Sequence, residues 1–167
     1  MASTHTGSGG TTSADHVYSV RPVGVVDCPR SDPVDDGWGQ VEAVIALLPP
    51  YGEEAVSGLD AFSHLDIVYL FHLVDPARPV PHARHPRGNT DWPLVGIFAQ
   101  RAKDRPNRLA VSTCELVAVE GATLLVRGLD AVDGTPVLDI KPHLVEFGPR
   151  GPVRQPLWSH ALMEHYY

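Results

Sequence analysis

From Tyr18 onward the chain offers apolar runs of strand length, each stopped by glycine, proline or a polar cluster before it could make several turns of helix. Val20–Val26 is the first run, and Val41–Leu48 is the second, closed by Pro49-Pro50. Leu65–Leu73 is nearly continuous and rich in β-branched and aromatic side chains, which predicts a strand covered on both faces. Leu94–Ala99 is a fourth run, Ala110–Val119 and Thr123–Val126 form a hairpin through Glu120-Gly121, and Val137–Ile140 is the last strand. Fifteen glycines and sixteen prolines suit a chain of short strands and many turns. One helix is predicted, over Leu157–Tyr166. Strands without long helices between them imply an all-β fold, an antiparallel sheet closed into a barrel or folded as a sandwich. No glycine-rich turn leads from a strand into a helix, which argues against a Rossmann-type dinucleotide fold.

At 167 residues the chain has the length of one domain. Met1–Ala14, made largely of Ser, Thr and Gly, has neither the basic start of a signal peptide nor a membrane-spanning apolar stretch, and residues 1–17 are expected to be a disordered leader. Cys28 and Cys114 cannot build a disulfide framework; one bridge is possible by counting, but a reducing, cytoplasmic setting is the simpler expectation. The net charge of −7 disfavours a protein that grips nucleic acid over its whole surface. Charge is unevenly spread, however. Pro76–Ser112 holds seven Lys or Arg against two Asp, whereas the rest holds six against eighteen acidic residues. Asp75–Trp92, rich in Pro, His and Arg, has no period and reads as a long functional surface loop.

Four clusters combine turn residues with reactive side chains: Asp36–Gln40, Phe62–His64, Gly96–Arg108 and Leu129–Pro142. The last places Asp130, Asp133 and Asp139 in apolar sequence, where a carboxylate is costly to bury without donors. Good turn chemistry at Asp133-Gly134-Thr135-Pro136 explains part of this cluster without any function. His82 and His85, like His64 and His72, match no zinc spacing, so no metal site is expected. A hydrolase built on Ser63 or Ser112 lacks a nucleophile elbow.

Gly96-Ile-Phe-Ala-Gln-Arg101, Arg105-Pro-Asn-Arg-Leu-Ala-Val-Ser112 and Gly128-Leu-Asp-Ala-Val-Asp-Gly-Thr-Pro-Val-Leu-Asp-Ile-Lys-Pro142 together closely resemble the TsaA-like family, typified by a tRNA N6-threonylcarbamoyladenosine methyltransferase. Arg21-Pro-Val-Gly24, Phe62-Ser-His64 and Phe71-His72 stand at the family's expected places upstream, so the resemblance covers roughly Tyr18–Phe147. It implies a single-sheeted antiparallel β-barrel over 18–147, a C-terminal extension with a helix over 148–167, and a homodimer. It also implies S-adenosylmethionine as cofactor and a modified adenosine of tRNA as methyl acceptor. Carried over position by position, the implied cofactor contacts are Gln40, Ser63, His64, Arg101, Val111, Leu129, Asp130, Val132 and Asp133. Arg101 is expected on the cofactor's carboxylate, Asp130 or Asp133 on ribose hydroxyls or the amino group, and Val111 and Leu129 against adenine. His64 or His72 is the expected base for an acceptor nitrogen. The chain departs from the family's pattern with Gln100 for Thr, Arg108 for Pro and Ala110 for Gly, and Ala110 is expected to narrow the site if that glycine needs positive φ. A small-molecule acceptor and a non-catalytic S-adenosylmethionine-binding module remain alternatives; nothing points to a membrane.

Overall fold

A computed structural model describes residues 16–167. The expected leader, 1–17, falls almost wholly outside them. Six strands close into one barrel: β1 (Gly24–Asp27), β2 (Glu42–Leu47), β3 (His64–Leu70), β6 (Leu109–Glu120), β7 (Thr123–Arg127) and β8 (Pro136–Pro142), in the spatial order β1-β2-β7-β6-β3-β8. Every neighbouring pair is antiparallel, and the pairs Gly24↔Val137 and Val25↔Pro136 close the ring. Two short strands outside the barrel, β4 (Ala83–Arg84) and β5 (Val95–Gly96), pair with each other. Among the described residues the α-helices are a single turn, α1 (Glu53–Val56), and the late α2 (Leu157–Met163).

Alternation along the strands fills the barrel. Val26, Ile45, Leu65, Ile67, Tyr69, Leu124, Val126 and Val137 point inward and are all at most 1% exposed. The β6–β7 hairpin turns through two residues, with Gly121 at φ 58, the positive value that the first central position of such a turn favours. An extra residue on β6, Val117, opposite β7 and another on β8, Leu138, opposite Val68 and Tyr69 of β3 shift register and bend the strands toward closure. At Gly24 the backbones approach so closely that a Cβ would lie 3.0 Å from the Ala46 carbonyl oxygen.

Several expectations are corrected. Leu65–Leu73 is not covered on both faces: burial alternates residue by residue, and the strand ends at Leu70, where the Phe71 amide turns to the Arg108 carbonyl. Leu94–Ala99 is not a barrel strand; after the β5 pair it coils into a 3-10 turn in which only Ile97 is buried and Phe98 is left exposed. The first run yields a strand only from Gly24, past Pro22, whose ring removes a ladder donor. The predicted late helix stops at Met163: the amides of Glu164 and Tyr166 turn to the carbonyls three residues back, and the carbonyls of His165 and Tyr166 accept from the amides of Gly37 and Trp38. Cys28 and Cys114 are both buried and free. No helix among the described residues is long and apolar enough to cross a membrane.

Candidate functional site

At the end of the barrel where β3 finishes and β6 begins lies a cavity of about 1090 Å³. Its wall is assembled from Tyr69–Asp75, Leu109–Val111, the β7–β8 connection at Asp130–Val132 and Thr135, the β1–β2 connection at Pro33–Asp35 and Trp38, the excursion between β3 and β6, and the segment around α2. That volume is at the upper end of ordinary small-molecule sites.

Asp130 is the polar centre of this wall. Tyr69, 1% exposed, donates its phenol hydrogen to Asp130 Oδ1 at 2.6 Å. Ser112 donates to the same oxygen from the neighbouring strand, while the Tyr166 hydroxyl donates to Oδ2 at 2.6 Å. Inward-facing positions on β3 and β6 thus carry hydroxyls where the rest of the interior carries aliphatic groups, and the carboxylate satisfies them. Burial, followed by the charge of Asp130, raises the Tyr69 and Tyr166 phenols above the ordinary value of 10.0, so both act as neutral donors.

Arg101 lines the cavity and donates one guanidinium N–H to the Val111 carbonyl oxygen on β6. A guanidinium has five N–H groups, so this bond fixes the fork and leaves donors for a ligand. Arg84 and Arg78 both reach the buried Asp104, at 2.9 and 3.3 Å. Arg87 clamps Asp36 through two bonds and lies 3.8 Å from Asp35; the bond lowers the Asp36 carboxyl and raises the Arg87 guanidinium. The long basic loop is therefore held in place by its own ion pairs. His72 lies on the cavity wall, with Nδ1 3.3 Å from Thr135 Oγ1.

Of the residues singled out in the sequence, His72, Arg101, Val111, Asp130 and Val132 share this cavity. Five do not line it. Ser63 and His64 bond to each other at 2.8 Å at the entry of β3, roughly 20 Å along the strand from its cavity end. Leu129 is fully buried in the barrel core, and Gln40 is exposed in the turn before β2. Asp133 turns away to accept from the Cys28 amide at 3.1 Å, so its role here is to tie two connections together. Neither serine assembles a triad: Ser63 has His64 alone, and Ser112 is committed to Asp130 with no imidazole beside it. Ala110 sits in regular β6 opposite Tyr69, so no positive φ is needed there; within the Arg105–Ser112 motif the left-handed residues are Asn107 (φ 61) and Arg108 (φ 53). Sequence reasoning reached Trp38 only as part of the Asp36–Gln40 cluster, and it missed Tyr69 and Tyr166. Tyr69 had a signal, a hydroxyl among buried strand positions that must find a partner. Tyr166 had none.

A family profile described as the tRNA-methyltransferase O N-terminal domain matches residues 26–148. A "Probable S-adenosyl-L-methionine-binding protein" of Methanothermobacter thermautotrophicus is 40% identical over 136 residues, covering 78% of this chain and 93% of that protein. The tRNA (adenine(37)-N6)-methyltransferase of Escherichia coli is 44% identical over 105 residues, covering 59% of this chain but 43% of the relative. The crystal structure of TrmO from Pseudomonas aeruginosa superposes with a TM-score of 0.68 at 30% identity, over 83% of this chain and 61% of that one. The chain thus spans nearly the whole of the archaeal relative and less than half of the Escherichia coli enzyme.

Proposed function

The chain belongs to the tRNA-methyltransferase O N-terminal domain family, and from that premise we propose that it is an S-adenosylmethionine-dependent methyltransferase acting on N6 of a modified adenosine in tRNA. The convergence of Asp130 and Arg101 on one cavity carries this reading. The relatives named for S-adenosylmethionine binding and for adenine-N6 methylation support it.

The donor set fits such a cofactor. Bound there, S-adenosylmethionine supplies an activated methyl group and its own leaving group. Arg101 presents a fork for an amino-acid carboxylate, and Asp130 an acceptor for hydroxyl or ammonium hydrogens. The carboxylates of Asp35 and Asp130 suit a positively charged sulfonium, and the aromatic side chains of Trp38 and Phe71 line the same wall. Val111 and Val132 supply apolar walls for a base. With about 1090 Å³ available, cofactor and acceptor nucleoside fit side by side, and the protein's task is to align them and exclude water. His72 is the imidazole on the wall, and we assign to it the acceptor's N–H proton. Exposed Phe98, Val145 and Phe147 favour a homodimer, and two free cysteines a cytoplasmic setting.

Calorimetric titration of S-adenosylmethionine, followed by transfer of labelled methyl to tRNA, tests the proposal. Wild type binds and labels tRNA, and Arg101→Ala binds roughly ten- to a hundredfold more weakly, as loss of a charge-assisted bond requires. Unchanged affinity removes Arg101 from the site. Label recovered on a small metabolite redirects the acceptor, and label recovered on intact cofactor reduces the protein to a binding module.

A further inference from the structure

The family match ends at residue 148, yet the cavity wall does not. Gln155, Trp158, Met163, Tyr166 and Tyr167 all face it. Beyond α2 the backbone is held by two hydrogen bonds, from the Gly37 amide to the His165 carbonyl at 2.9 Å and from the Trp38 amide to the Tyr166 carbonyl at 2.8 Å. Trp158 packs near Trp92 of the basic excursion, with ring centroids 6.4 Å apart. Gly39 makes this docking possible: a Cβ there would lie 2.6 Å from the carbonyl carbon of Tyr167, closer than side-chain carbons approach backbone. The clamp of Arg87 on Asp36 steadies the same turn.

We infer that segment 157–167 is a built wall of the ligand site, and that Tyr166 is a positioning residue that orients the Asp130 carboxylate for the ligand. Rested on the methyl-donor reading above, this assigns the site an element that the family match leaves out. Two features favour a wall over a plug. The cavity keeps about 1090 Å³ with the segment in place, and Tyr166 takes only one oxygen of Asp130. A carboxylate oxygen accepts two hydrogens, so Oδ2 retains an acceptor direction for the ligand. Tyr69 and Ser112 hold Oδ1, Tyr166 holds Oδ2, and the carboxylate plane is thereby fixed from two sides.

Two variants of the full chain test this, each read by hydrogen exchange at the Gly37 and Trp38 amides and by calorimetry with S-adenosylmethionine. Tyr166→Phe keeps the ring and the backbone bonds, so both amides stay protected while affinity falls about three- to tenfold, the effect of one hydrogen bond. Gly39→Val displaces the segment, so both amides exchange fast and affinity falls at least as far. Fast exchange with unchanged affinity in Gly39→Val overturns the inference, because the segment is then no part of the site. Tighter binding in either variant also overturns it, since the segment is then a competitor of the ligand. Absence of donor binding by wild type, with both amides protected, refutes the methyl-donor reading and the wall assignment with it; donor binding by wild type with neither variant weakened refutes the assignment alone.

Discussion

Removing the Tyr69 hydroxyl and the Asp130 charge, singly and together, measures whether the site's polar centre also holds the barrel end together. Tyr69→Phe deletes a buried donor whose 2.6 Å bond to a carboxylate is charge-assisted, a loss of about 2 kcal/mol. Asp130→Asn is nearly isosteric. Its amide oxygen can still accept from Tyr69 and Ser112, and its NH2 can donate to the Tyr166 oxygen. Three charge-assisted bonds then become neutral ones at about 1 kcal/mol each, offset by about 1 kcal/mol from no longer desolvating a carboxylate, so the net cost is about 2 kcal/mol. The shared Tyr69–Asp130 bond is counted twice in the sum of the single effects. The double variant should therefore cost about 3 kcal/mol, not 4, leaving a coupling of about 1 kcal/mol. Urea unfolding followed by far-UV circular dichroism reads each value, and each single variant should melt roughly 4–8 °C below wild type. Additivity to within about 0.3–0.5 kcal/mol would refute the reasoning, because the two groups would then not be bonded in solution.

Arg108→Pro restores the residue that the family motif implies at a position where this chain has φ 53 and an N–H bonded to the Arg105 carbonyl at 3.1 Å. Proline is locked near −65° and has no N–H, so the variant should lose roughly 2–3 kcal/mol in chemical denaturation; wild-type stability would mean the turn has another backbone. Burial and the neighbouring Asp130 charge raise the Tyr69 and Tyr166 phenols, so the native state keeps protons that the unfolded chain releases above its ordinary phenol value of 10.0. Their contribution to stability is complete below pH 10 and is lost as pH rises further. In an alkaline titration their phenolate absorbance should appear only together with unfolding, and its appearance in the folded protein would contradict the burial of both rings.

The barrel was legible where local chemistry and tertiary role agree. Glu120-Gly121 breaks two alternating runs, and a two-residue turn with positive φ joins them there. Leu94–Ala99 is equally apolar, but it follows Pro93, has Gly96 at its centre and buries only Ile97, so composition alone overstated it. Asp130 stood out as an acid in apolar sequence, and its burial is compensated as that reasoning demanded. The need of Tyr69 for a partner was legible, but its pairing with Asp130 was hidden, because Tyr69 lies 61 residues upstream and Tyr166 lies 36 downstream, distances over which no pattern speaks. His64 and Ser63 illustrate the opposite error. Their neighbourhood in sequence to the strand that reaches the site is genuine, but a seven-residue strand carries its two ends far apart.

Charge is where composition and structure have to be reconciled, since an acidic chain is proposed to meet a polyanion. The seven cations of Pro76–Ser112 divide into two sets. Arg78, Arg84 and Arg87 face carboxylates of Asp104, Asp35 and Asp36, so their charge is spent within the fold, where it pins a long loop against the barrel. Arg101, Arg105 and Arg108 bond instead to the carbonyl oxygens of Val111, Gln100 and Val74, and Lys103 has no carboxylate partner among the described residues. A carbonyl orients a guanidinium without neutralising it. These four full charges lie on the cavity wall and on the hollow beside it, and together with Arg78, Arg84 and Arg87 they outnumber the carboxylates of the same walls, Asp35, Asp75, Asp104 and Asp130. An overall charge of −7 therefore says little about the field at this rim. The paired arginines give the rim its shape, and the carbonyl-bound ones give it its sign.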